Sequence, residues 1–370
     1  QSAILEFLKN GQVEPLIYRE TNFDWPLPNY SNYNFDDYDW HGGYKRIYIT
    51  GSRGCVRDCD FCSVKTQFGN YAFQPGTDLA KQLIDQQRAF GINSFTLTDS
   101  LVNGSMLHFN NFLKVLAEHN STAPEKIYWG GSYICRDFTN SKLGKDEYYQ
   151  NLRDSGAWGL TIGAESGSNN VLRAMNKKTT ADALLYELEY FKKYGIHCQL
   201  LFFTGHWAET EDDFRIHCEF IKKLVPYVES GTITGQSYYT SAALIPDTPA
   251  YSNTKLLRTN ENTNIFWINV DNPTNTYKVR VQRALTVLKV FQELGIEHNY
   301  INHGIQYVKD YIKNNYSKIN EFFGMHGKES TQLDNIPEFV QSILGTSGYE
   351  KKNLLDDVYL DLLESSKLLK

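Results

Sequence analysis

The stretch Gly51-Ser-Arg-Gly-Cys55-Val-Arg-Asp-Cys59-Asp-Phe61-Cys62 decides how the rest of the chain is read. Cysteine is scarce, six in 370 residues, yet Cys55, Cys59 and Cys62 crowd into this one loop. Scattered at random, six cysteines would produce those offsets in roughly two chains in a thousand. The other three, Cys135, Cys198 and Cys218, share no spacing. Three thiolates on a short glycine-flanked loop suit a cubane iron–sulfur cluster, because each sulfur can bind a different iron. A structural zinc ion takes four protein ligands, usually from a second Cys or His pair. The chain has no second Cys-x2-Cys and no His-x3-His. Three ligands on a four-iron cluster leave one iron open to an external molecule. A labile disulfide and a zinc loop are the competing readings.

Around this loop the chain alternates strand and helix. Residues 46–50 are a β-branched run ending at glycine, hence a strand that delivers the cysteines. Apolar residues at helical spacing, closed by Gly91, predict a helix over 78–90. Further strands are expected at 94–98, 126–129, 159–163, 197–203 and 232–244. Helices are expected at 107–119, 146–154, 180–194 and 209–224, the last with Phe214, Cys218, Ile221 and Leu224 facing inward. Six such alternations with short links predict an α/β fold with a parallel sheet and helices outside. Periodicity leaves a doubly wound sheet and an open (β/α)6 partial barrel equally allowed. In both, ligands collect at the carboxyl ends of the strands, where the cysteine loop lies.

Three regions follow: a lead-in or linker over 1–45, an α/β core over 46–250, and a mainly helical C-terminal extension over 251–370, expected on the substrate side. The lead-in holds a short helix near Ala3 to Lys9, the Asp24-Trp-Pro-Leu-Pro28 stretch, and aromatics from Tyr30 to Trp40. The extension holds a helix over 277–294 and shorter ones near 333–344 and 350–369. Lys278, Arg280, Arg283 and Lys289 are read as a solvated helix face, with contact to a phosphate-bearing substrate as the sharper alternative.

Apolar content of 41% and charge content of 22% are ordinary for a globular protein. The formal charge of −6 gives no general attraction to nucleic acid. No run approaches eighteen apolar residues, so no membrane span is expected, and no signal-peptide pattern is seen. Few, mostly unpaired cysteines fit a reducing, cytoplasmic compartment. Residue 1 is Gln, so the natural chain is expected to extend upstream. The abundance of Tyr (25) and Phe (21) has no functional reading at this level.

The Cys-x3-Cys-x2-Cys spacing with Phe61 before the last cysteine resembles the radical S-adenosylmethionine (SAM) superfamily. The resemblance implies the partial barrel, a [4Fe–4S] cluster on Cys55, Cys59 and Cys62, and SAM chelated at the open iron. Reductive cleavage of SAM to methionine and a 5′-deoxyadenosyl radical follows from it. So does a low-potential electron donor of flavodoxin or ferredoxin type. It extends over about residues 24–250. Ile162-Gly-Ala-Glu165-Ser-Gly-Ser168 with Val171-Leu-Arg-Ala-Met175-Asn-Lys177 is similar to the fourth-strand segment of methylthiotransferases and cobalamin-type enzymes. Glu165 and Ser166 are thereby implied as SAM contacts, on a turn whose backbone N–H groups are expected to be free.

By the same resemblance Phe61 belongs to the cofactor pocket, and Asp99 and Ser100 engage the SAM amino group. The family's glycine pair is absent there, and a capping Asp is the alternative. Arg136 is implied near the SAM carboxylate or the substrate, Gly205 is implied as a cofactor contact in the family's fifth-strand glycine segment, and Leu244 shapes the pocket near the adenine. His206 is a candidate acid–base or substrate contact. Glu209 and Thr210 read as a helix start with acids complementing the dipole. The 160–177 and 24–28 stretches, which resemble the cobalamin-type branch, tilt the reading toward methylation or a related carbon-centred modification, and the missing amino-terminal cysteine trio tells against methylthiolation. Cobalamin is compatible with this branch, but a B12 domain needs about a hundred more residues than the lead-in offers. The non-enzymatic alternative is a cluster- or zinc-stapled binding module, with RNA as one ligand. Substrate is not disclosed by these motifs.

Overall fold

The computed structural model describes residues 30–38, 45–136, 145–239, 242–258 and 267–295. The expected helices in the lead-in and beyond 295, the Asp24–Pro28 stretch and Trp40 lie outside the described residues. Six strands make one sheet: β1 (Arg46–Ile49), β2 (Ser94–Leu97), β3 (Tyr128–Tyr133), β4 (Ala157–Glu165), β5 (Cys198–Phe203) and β6 (Ile233–Tyr239). They lie side by side in chain order, and every neighbouring pair is parallel. A doubly wound sheet reverses its strand order at a switch point. This sheet does not reverse, so the choice left open by periodicity falls to the partial barrel.

Helices α1 (Gly76–Phe90), α2 (Met106–Thr122), α3 (Lys145–Asp154), α4 (Ala181–Tyr194) and α5 (Glu211–Lys222) cover one face of the sheet. Their boundaries follow local chemistry. Gly91 (φ 64°) and Gly195 (φ 65°) close α1 and α4 in the left-handed region. Thr180 caps α4 through the N–H of Ala183. Thr210 and Asp213 form a reciprocal capping box at the start of α5, which therefore begins at Glu211 and not at 209. Alternate strand residues, Ile47, Ile49, Phe95, Leu97, Leu160, Ile162, Leu200 and Phe202, bury against the helices. The opposite, concave face carries Tyr48, Thr96, Thr161 and Gln199, which stay partly exposed.

One strand boundary differs from expectation for a steric reason. Strand β3 runs on through Gly130 and Gly131, which read as a loop in sequence. A Cβ on Gly130 would sit 2.5 Å from the Gly159 carbonyl oxygen, and one on Gly131 2.7 Å from Val102. These glycines let strands and a loop approach, and do not end the strand. On α5 the buried positions are Asp213, Phe214, His217, Phe220 and Ile221, while Cys218 is half-buried.

Beyond 250 the chain first makes an antiparallel hairpin, Leu256–Arg258 with Trp267–Asn269. Trp267 is fully buried in a second cluster with Trp207, Phe203, Met175 and Leu244. Helix α6 (Tyr277–Glu293) then packs on α5. Arg280 and Arg283 are 0% and 4% exposed, so the solvated face expected for them is corrected. Arg280 stacks over Trp267 at 3.7 Å and donates to the Asn275 and Trp267 carbonyls. Arg283 bonds the Glu209 carboxylate at 2.8 Å. A long stem on an apolar helix face, with buried acceptors in reach of the head, folds inward.

Candidate active site

The cysteine loop leaves the carboxyl end of β1. Ser52–Arg53 pairs with Ala72–Phe73 to start it, and Gly54 turns it at φ 79°. Backbone bonds from distant segments then hold it. Asp60 N–H donates to the Met175 carbonyl and Ala250 N–H to the Asp60 carbonyl, each at 3.0 Å. The Asn176 amide donates to the Asp58 carbonyl at 3.0 Å. Cys62 N–H donates to the Cys59 carbonyl, closing a turn that carries two of the thiols.

Cys55, Cys59 and Cys62 are all free thiols. Burial, opposed in part by Lys177 and reinforced by the neighbouring cysteines, pushes the Cys59 thiol up to about 11. Burial raises Cys62 as well. Three thiolates so placed repel one another and require a positively charged centre, which is the donor chemistry of an iron–sulfur cluster. Among the described residues, no three His, Cys, Asp or Glu side chains converge on one point as a single metal ion requires. A cluster asks less convergence, since each thiolate addresses its own iron.

At the carboxyl end of β4, Glu165 takes a left-handed backbone (φ 60°) and its carboxylate meets the Lys177 ammonium at 2.6 Å. Both side chains are 11% exposed. The Lys177 nitrogen also lies 5.9 Å from the Phe61 ring, so the pair reaches the cysteine loop. Gly163 makes room for it, because a Cβ there would sit 2.3 Å from the Glu165 carboxylate. Arg57, Cys135, Gly163, Ser166, Lys177 and Thr180 line a small cleft between the loop and the ends of β3 and β4.

The turn after Glu165 is locked. Gly167 N–H donates to His217 Nδ1 at 2.8 Å, Ser166 N–H to the Ala164 carbonyl, and Ser168 Oγ to Asp213 at 2.6 Å. The free N–H groups expected at Ser166 and Gly167 are thus already used. Gly167 is required because a Cβ would lie 2.3 Å from Phe220.

Asp99 is buried and accepts from Gly51 N–H at 3.0 Å, bracing the start of the cysteine loop. Burial pushes its carboxyl up to about 6. Ser100 beside it is half-buried. The Arg136 guanidinium donates to the Asn103 and Gly104 carbonyls, tying the loop after β2 to the loop after β3. Phe61 packs edge-on against Phe203 at 5.2 Å. Leu244 is fully buried, and Gly205 (φ 76°) leaves space that the Arg280 stem fills.

His206, expected within reach of substrate, is 0% exposed. Its Nε2 lies 3.3 Å from Asp60 Oδ2, its Nδ1 accepts from Ala208 N–H, and its carbonyl accepts from Asn275. It joins the cysteine loop to the segment entering α6. Glu209 is no dipole acid. It accepts from Gly205 N–H and Arg283, and burial outweighs their pull, raising it to about 7. Sequence reasoning gave Asp60, Lys177, His217 and Asn275 no site role. Only Asp60 and Lys177 carried a signal, by standing inside quoted motifs.

Residues 49–221, which include all three clustered cysteines and the Glu165–Lys177 pair, match the radical SAM superfamily. The chain carries a radical SAM domain. An uncharacterized methyltransferase of Pyrococcus horikoshii is 26% identical over 60% of this chain and 46% of its own length. The ribosomal protein uS12 methylthiotransferase RimO of Bacteroides fragilis is 25% identical over 48% of this chain and 41% of its own. The radical SAM relatives therefore include methyltransferase and methylthiotransferase branches, and this chain spans less than half of either protein. A structure described as the cobalamin-dependent SAM radical enzyme OxsB with aqua-cobalamin superposes with a TM-score of 0.55. At 17% identity over 87% of this chain and 58% of that one, it shares the fold.

Proposed function

We propose that this chain is a radical SAM enzyme that modifies a carbon centre of its substrate, with methyl transfer or a related reaction as the type. The observation that carries the reading is the trio of free cysteines at the carboxyl end of β1, inside the matched residues. Cys55, Cys59 and Cys62 would hold a [4Fe–4S] cluster. When bound, the cluster supplies an open iron for SAM and the electron that splits it into methionine and a 5′-deoxyadenosyl radical. The chain's own groups position and enclose. Backbone bonds at Asp60 and Ala250 fix the loop. The Glu165–Lys177 pair offers a carboxylate and an ammonium beside it, suited to the opposite charges of an amino-acid moiety. Ser100, Ser166 and Phe61 would complete the pocket, with Gly205 and Leu244 packed behind it and Asp99 and Arg136 holding the loops that frame it.

A protein electron donor of flavodoxin or ferredoxin type is inferred from the potentials such clusters need, which reach about −700 mV. A reducing cytoplasmic compartment fits that requirement. No helix among the described residues is long and apolar enough to cross a membrane. The division into a lead-in, a barrel over 46–250 and a substrate-side extension over 251–370 is part of the same proposal. Methylation is supported by the name of the Pyrococcus horikoshii relative, and cobalamin use rests on fold likeness alone.

Anaerobic reconstitution with iron and sulfide, then SAM and dithionite, tests the reading. It should yield 5′-deoxyadenosine, and Cys59→Ala should abolish that product. A colourless protein that makes no nucleoside would instead support the stapled binding module.

A further inference from the structure

Strand glycines usually answer to a neighbour that a side chain would strike. In this sheet Gly130, Gly131 and Gly163 each have such a neighbour within 3 Å of their would-be Cβ. Gly159 has none: a Cβ there meets nothing within 4 Å, and its φ is not positive. A mid-strand glycine costs about 0.5–1 kcal/mol relative to alanine. Gly159 follows a bulge at Trp158, where Trp129 and Gly130 pair with Ala157 and Gly159, and the space above it is open to a ligand. Gly159 lies on the concave face, alternating with the buried Leu160 and Ile162.

Three rings stand exposed on β1, β3 and β4, Tyr48 at 55%, Tyr128 at 47% and Trp158 at 42%, and Tyr48 shares the register row of Gly159 through Thr96 and Gly130. Arg46 covers the far side, its guanidinium 5.2 Å from the Trp158 ring. One row nearer the cysteine loop, about 7 Å along the strands, the face becomes hydroxylic. Ser132, Thr161 and Gln199 are successive register partners. Thr50 and Thr98 join their hydroxyls at 2.7 Å. Between Arg46 at the amino end and the Glu165–Lys177 pair at the carboxyl end, the described residues of this face carry no charge.

We propose that this concave face is the substrate site and takes a planar, uncharged aromatic or heteroaromatic group over Gly159, against Tyr48, Tyr128 and Trp158. Hydrogen-bonding atoms of the substrate meet the hydroxyl row, which presents them to the radical formed at the cysteine loop. The assignment rests on the radical SAM reading and adds the substrate class. Rings of this kind gain from stacking on aromatic side chains. A carboxylate or phosphate would meet only Arg46, whose guanidinium already stands over the Trp158 ring, and an ammonium would meet no anion.

Ligand-observed saturation-transfer NMR on the reconstituted full chain, with indole as probe, tests this. Tryptamine and indole-3-carboxylate serve as cationic and anionic comparators. Indole should receive saturation, the charged analogues about fivefold less. Gly159→Leu should fold normally by circular dichroism, since its Cβ site is empty, and weaken the indole signal about fivefold, equivalent to roughly 1 kcal/mol. Trp158→Ala should weaken it similarly, and decides the matter should the leucine variant not fold. No indole signal in the wild type, equal signals in the variants, or equal signals for charged probes would overturn the proposal. Formation of 5′-deoxyadenosine without substrate is followed in parallel. Its absence from the wild type would count against the radical reading and leave the indole result to judge the site.

Discussion

At the scale of single residues, the site is built by groups that fix one another. Glu165 holds an uncommon left-handed backbone for a non-glycine residue, and the turn beyond it is clamped by His217 and Asp213 of α5. His217 is fully buried and must be neutral at Nδ1 to accept from Gly167 N–H. Burial pushes its basicity down from 6.5 to about 4. The unfolded chain therefore binds a proton that the native state refuses. Stability from this residue is complete above pH 6.5 and is lost as pH falls toward 4, by roughly 3 kcal/mol. In urea titrations between pH 7 and 4.5, His217→Gln should lose stability less steeply than the wild type. Parallel pH profiles for the two proteins would show that the imidazole is not held neutral.

At the scale of elements, α6 is bonded to the barrel by buried charge. Arg283 and Glu209 are 5% and 1% exposed in their side chains and meet at 2.8 Å. Asn275, just before the helix, holds the His206 carbonyl at 2.7 Å, and His206 faces Asp60 in the cysteine loop. Removing one partner of a buried pair leaves an uncompensated charge, which costs about 3–5 kcal/mol. Arg283→Met should lower unfolding free energy by about that much at pH 8. The loss should be smaller at pH 6, because burial already raises Glu209 to about 7 and protonation relieves it. A loss under about 1 kcal/mol at pH 8 would mean that the contact is not held in solution. Arg280 and Arg283 of α6 show what helix periodicity cannot tell: it separates faces but not which long side chains fold back. The six strands and five flanking helices, by contrast, were legible, because each carries its own periodicity and α1, α4 and α5 carry their own caps.

For the whole molecule, the partial barrel places the cysteine loop, the Glu165–Lys177 pair and the concave face at one end and along one side of a single sheet. Cluster and SAM, if they bind the native fold alone, must stabilise it by mass action. At SAM a hundredfold above its dissociation constant the gain is about 2.7 kcal/mol. An anaerobic thermal melt of the reconstituted chain should shift upward with SAM, and the shift should vanish in Cys59→Ala. An unchanged melting temperature would mean that SAM does not bind this fold. The three-cysteine spacing, the strand–helix order and the Glu165 segment were readable from the chain because each is local: a loop, a period, a turn. Whether the sheet ran on as a barrel or reversed was not readable, since both topologies use the same alternation and differ only in which strands touch. The burial of His206, the Arg283–Glu209 pair, the clamp by His217 and the empty space over Gly159 are likewise tertiary facts. Each depends on groups far apart in sequence that meet only when strands lie in register and helices pack, and no local pattern encodes that distance.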